Sequence, residues 1–109
     1  MIDLYYKSII IMTNFPLYEN IRNDIKDVKE LSKQEKDKLL QNIKTLDEHG
    51  HELIYVLIKV HFIKEENSYM VPYGIKSLKM GHRVDLNILP PILQLIIQNF
   101  VELHLKNKK

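Results

Sequence analysis

The side chains best able to do chemistry lie in His49-Gly50-His51-Glu52, with His61 ten residues beyond His51. Zinc sites need three or four converging nitrogen, sulfur or oxygen ligands. His-x-His beside one glutamate has too few donors at ligand spacing, and a chain with no cysteine has no thiolate to complete the set. The cluster therefore reads as a polar helix start, and His61 as a packed or rim histidine in an apolar segment. No metal and no cofactor are expected. Nucleophilic chemistry has equally little to work with: there is no Gly-x-Ser-x-Gly, no phosphate-cradling glycine loop and no thiol. The paired acids Asp47-Glu48 and Glu65-Glu66 fall at expected helix ends, where solvation explains them. No catalytic residue is assigned, and an enzyme is not expected.

Lys76, Lys79, Arg83 and the tail lysines are of the type that meets phosphate, and Tyr69 or Tyr73 could stack on a base. The alternative is a solvated loop whose tyrosines pack a hairpin onto the body. Net charge is +2, from sixteen Lys and Arg against fourteen Asp and Glu. Without the three tail lysines Lys106, Lys108 and Lys109, thirteen cations face those fourteen acids. Duplex binders normally carry a strong basic face. Nucleic acid is thus at most an auxiliary partner.

At 109 residues, 45% apolar and 28% charged, the chain has the composition of one globular domain, which excludes a disordered tail, a collagen-like fibre and a polytopic membrane protein. With no cysteine there are no disulfides, which fits a reducing compartment. The apolar run Ile9 to Met12 is far short of the ~20 residues that span a bilayer, and it lacks a basic leader. No membrane contact is expected. Met12 reads as a natural start, with residues 1–11 a dispensable extension ahead of a single domain over residues 12–109.

The elements that must position these side chains are mostly helical. Leu17, Ile21, Ile25 and Val28 recur at helical spacing across Asn14 to Glu30, with Thr13 or Asn14 as cap and Pro16 in the first turn. Ser32 with Glu35 forms a capping box ahead of a second helix reaching about Glu48, with Leu39, Ile43 and Leu46 inward and Lys33, Lys36, Asp37 and Lys44 outward. After a joint over Asp47 to His51, the almost unbroken apolar run Glu52 to Ile63 exceeds ordinary strand length and predicts a central helix buried nearly all round. Tyr69 to Tyr73 and His82 to Leu86 are short β-type runs, giving a hairpin or a lone strand, with Pro72 confined to an edge. From Pro90-Pro91 a last helix presents Leu93, Ile96, Ile97, Phe100, Val101 and Leu103 to the core, and Gln94, Gln98 and Glu102 to solvent. The expected fold is mainly α: a small four-helix bundle with a short hairpin or strand before the last helix.

The order of the last three helices resembles the NET domain, the extra-terminal (ET) domain of bromodomain transcription regulators. The resemblance covers roughly residues 31–104. It is carried by Leu31-Ser-Lys-Gln-Glu-Lys, by Asn42-Ile-Lys-Thr-Leu46, by Gly50-His-Glu-Leu53, by Val84-Asp85-Leu86 and by Leu89-Pro90-Pro91. With the added N-terminal helix the chain also looks like the stand-alone NET proteins of giant DNA viruses, which suits its lack of alanine. The resemblance implies a non-enzymatic protein–protein interaction module that binds a partner peptide by strand addition beside the last helix, in transcription or chromatin regulation. It implies a peptide site of His82, Arg83, Val84, Asp85 and Leu86 on the strand, with Leu46, Leu53, Val56 and Leu57 behind it. It also implies an intracellular setting, the host nucleus or cytoplasm for a viral protein, or the virion. Arg83 stands where the family alternation has an acid, so the partner expected here is acidic and apolar. Alternatives are a virion assembly or packaging protein using the bundle as a structural element, an auxiliary nucleic-acid factor, and a homodimer formed through the first helix.

Overall fold

The computed structural model describes residues 2–5, 16–65, 76–78 and 81–107. Four helices and three short strands follow in the order β1 (Ile2–Tyr5), α1 (Pro16–Asp24), α2 (Lys33–Lys44), α3 (Glu48–Lys64), β2 (Lys76–Leu78), β3 (Gly81–Val84) and α4 (Pro91–Asn107), with a 3-10 turn at Leu86–Ile88. The protein is a small helical bundle with a short antiparallel hairpin, β2–β3, ahead of its last helix.

Helix α2 forms as its sequence demands. Ser32 Oγ accepts the Glu35 N–H at 3.1 Å, and the Ser32 N–H donates to the Glu35 carboxylate at 2.9 Å. Two orphan donors are satisfied reciprocally, and that charge-assisted bond holds the Glu35 carboxyl below its usual range. Leu39, Ile43 and Leu46 are buried. Lys36, expected to point outward, is half-buried and donates from Nζ to the Asn87 side-chain carbonyl.

Helix α3 is the hub. Ile54, Leu57 and Ile58 are fully buried along one face of it, and Tyr55, Val56 and Val60 are buried on the others, because α1, α4 and β1 all pack against it. It starts earlier than the composition implied: Asp47 caps it by accepting the Gly50 N–H at 2.8 Å, so His49, Gly50 and His51 belong to its first turn. Glycine at 50 answers a close approach, since a Cβ there would meet Leu46 Cβ at 3.1 Å and His104 Nε2 at 3.2 Å.

Helix α1 is shorter than its stripe. It ends at Asp24, and Val28 is exposed among Lys26, Asp27, Lys29 and Glu30, with no apolar surface to meet. Its buried face turns instead on Tyr18 and Ile21, with Ile25 beside them. Helix α4 departs from simple amphipathicity. Leu93 through Ile97 are all buried, including Gln94 at 1% exposure, whereas Leu103 is exposed. Gln94 donates from Nε2 to the carbonyls of Leu86 and Leu89, both at 2.9 Å, so its amide serves the turn that leads into the helix rather than water.

The largest departure is at the N-terminus. Ile2–Tyr5 is a strand, and the sheet order is β1-β3-β2, antiparallel throughout. Leu4 is fully buried in the core cluster, and β1 packs on α3 and α2. The expectation that residues 1–11 stand outside the domain therefore fails for Ile2–Tyr5, because pairing with β3 places an apolar side chain where the helices leave room for one. The expected Thr13 or Asn14 cap, the Met12 start, the Tyr69 to Tyr73 strand and the positions of Lys79, Lys108 and Lys109 lie outside the described residues.

Candidate functional site

Strand β3 and the turn after it hold the five strand residues of the expected peptide site. Gly81 opens the strand at φ 153°, a conformation open to glycine and rarely to other residues. Side chains then alternate. His82 and Val84 face the helices: the His82 ring stacks on Tyr55 of α3 at 4.2 Å, and Val84 is fully buried. Burial, with the Lys59 cation nearby, pushes His82 below the usual histidine value, and burial raises the Tyr55 hydroxyl. Arg83 points the other way.

The strand ends sooner than its alternation implied. Asp85 folds its carboxylate over the Asn87 N–H at 3.0 Å and caps the 3-10 turn, so Leu86 is buried from that turn and not from the strand. Asp85 is thus a capping residue, and Val84 and Leu86 are not same-face strand neighbours.

Leu46, Val56, Leu57, Val84 and Leu86 are all 6% exposed or less, and Leu53 is partly buried. Expected as the wall of an open groove, they are instead core. The cover includes β1, paired along Ile2↔Val84, Asp3↔Arg83, Leu4↔His82 and Tyr5↔Gly81. Across this pairing Arg83 donates from Nε to Asp3 Oδ1 at 2.7 Å and from Nη2 to Oδ2 at 3.2 Å, a two-pronged grip on one carboxylate. Both partners are half-exposed, so the ion pair sets register and contributes ~1 kcal/mol or less. The acid expected for Arg83 was a partner peptide's; within the chain Arg83 is met by Asp3 of the first strand. Asp3 and Leu4 escaped the sequence reading because four alternating residues are too few to separate a strand from noise.

The histidines diverge. His49 is exposed, His51 donates from Nε2 to the Ile43 carbonyl at 2.9 Å, and His61 is buried with Nδ1 3.0 Å from the Tyr18 hydroxyl. Burial, reinforced by the Glu65 carboxylate, drives that hydroxyl far above the ordinary tyrosine value, so it stays protonated. Among the described residues no three His, Asp or Glu gather as a metal site would require, and no helix is long and apolar enough to cross a membrane.

Two grooves flank the far end of α4. One of about 540 Å³ against α2 is lined by Leu39, Val101 and Leu105 with Glu35, Lys38 and Glu102. One of about 310 Å³ against α1 is lined by Ile21 and Leu103 with Asp24 and Lys106. Both mix charges of each sign. Comparison with protein families, with curated proteins and with solved structures finds no match.

Proposed function

We propose that the chain is a non-enzymatic interaction module of the NET type, binding a partner peptide by strand addition at β3, in a transcription- or chromatin-related role. The observation that carries this reading is the β1–β3 pairing. A four-residue strand from 80 residues away docks on β3 through main-chain bonds, one buried leucine and one carboxylate on Arg83. Main-chain pairing supplies affinity and alternate side chains supply specificity in recognition of this kind. The order of elements supports it too: a hub helix, a short hairpin and a final helix after Leu89-Pro90-Pro91 frame the strand.

Affinity capture from producing cells, followed by mapping of the captured partner's peptides on the labelled protein, tests the reading. Amide shifts centred on residues 81–86 are the expected result. A partner whose peptides perturb only the α4 grooves would replace it with helix-face docking.

A further inference from the structure

Resting on that reading, we propose that Ile2–Tyr5 is a resident ligand of the β3 edge, and that the partner is an extended peptide of the same apolar–acid–apolar pattern which must displace it. Three observations carry this. First, β3 lies between β1 and β2, so along residues 81–83 both of its edges are used within the chain. An incoming strand pairs with β3 only by taking the place of a resident one. Second, β1 carries side chains that make a recognition code: Leu4 fills the core beneath β3, and Asp3 answers Arg83 with two hydrogen bonds. Third, β1 sits at the edge of the sheet order among the described residues, while β2 and β3 are joined by only two intervening residues. A strand closed by a short hairpin re-forms far faster than it can be replaced, whereas one closing across the whole chain faces a trans competitor on more equal terms.

The charge of Arg83 then decides which peptides compete. A strand offering aspartate opposite it reproduces the resident contact, and one offering lysine brings two cations together across directly opposed positions. Leucine at the next position reaches the core, and a polar residue there leaves a void under β3.

The chain has no cysteine, so an Asp3→Cys/Arg83→Cys protein can lock β1 in place by oxidation and free it by reduction, at directly opposed positions. The probe is a labelled peptide of residues 1–8, Met-Ile-Asp-Leu-Tyr-Tyr-Lys-Ser, titrated into the full chain. Full-chain Leu4→Ala, whose resident strand is weakened, should bind it at least ten-fold tighter than the unmodified protein. The reduced double-cysteine protein should bind it at least ten-fold tighter than its own oxidised form. A probe with Asp3→Lys should lose binding to Leu4→Ala and regain it when Arg83→Glu is added. Equal affinity in the oxidised and reduced forms overturns the proposal, and this arm stands even where Leu4→Ala fails to fold. Selection of random peptides on the full-chain Asp3→Ala protein, which keeps Arg83 and loses the resident carboxylate, separates the two readings. Enriched apolar–acid–apolar sequences support the proposal, and enriched basic sequences overturn its partner chemistry while leaving strand addition intact. No enrichment alongside tight binding of the resident-strand probe removes the peptide-module reading and keeps the resident ligand.

Discussion

Helix α2 and strand β1 both bury leucine in the same core, yet they are built from opposite kinds of information. Each determinant of α2 lies within a few residues of the next: Ser32 and Glu35 cap it, and Leu39 and Ile43 recur at helical spacing. Strand β1 has no cap, no periodic run worth the name and no neighbour in sequence to pair with; it exists because β3 is there, 80 residues on. Locally determined elements carry their cap and their apolar face with them, and packing then completes them. A strand determined from afar can be withdrawn or substituted, which is why the interaction reading centres on it.

Core deletions should give the largest effects and ask whether β1 belongs to the same cooperative unit as the helices. Leu57→Ala in α3 and Leu4→Ala in β1 both remove a fully buried side chain, and each should cost ~2–5 kcal/mol in chemical denaturation. A Leu4→Ala cost below that of the cap substitution described next would detach β1 from the fold and sink its role as a packed element.

Polar deletions come second and separate local from tertiary causes. Ser32→Ala removes the capping box and should cost ~1 kcal/mol, read as lost helicity and a lower denaturation midpoint. Gln94→Ala and Gln98→Ala remove the same amide one helical turn apart. The first takes the amide from the Leu89 carbonyl and leaves the Leu86 carbonyl with the Leu89 N–H. It should cost ~1–3 kcal/mol, and the second should stay under ~0.5 kcal/mol. Equal costs would mean that the turn's carbonyls find other partners.

The smallest effect is a pH dependence at the sheet. His82 binds its proton less readily folded than unfolded, because burial and Lys59 disfavour the cation. The unfolded chain therefore takes up more protons as pH falls below ~6.5, and stability present above that value is lost as pH drops towards the lowered folded value. Melting temperatures from pH 7.5 to 5.5 should fall more for the unmodified protein than for His82→Gln. An equal fall in both would place the acid sensitivity elsewhere.

Much of the fold was legible before any coordinate. The α2 cap, the apolar hub Ile54 to Phe62, and the inward Leu93, Ile96, Ile97 and Phe100 all follow from spacing, because helix hydrogen bonds and side-chain neighbours lie three or four residues apart. The candidate site was legible only in part. The segment His82 to Leu86 stood out by alternation, but the acid expected for Arg83 was a partner's and not Asp3 of the same chain. One side chain resisted the same logic. Gln94 sits in line with Gln98 and Glu102, and nothing in that spacing says that two carbonyls wait above it.

What the sequence determined alone is thus the set of helices and their apolar faces, each settled by contacts within a turn. Tertiary structure decided the rest: where α1 stops, that Asp85 caps instead of extending a strand, and that Leu4 of the first strand enters the core. The physical reason is loop closure. Bringing residues 2–5 to residues 81–84 costs chain entropy that no local contact offsets. Only the assembled surface, with a space for Leu4 and a cation for Asp3, supplies the compensating contacts.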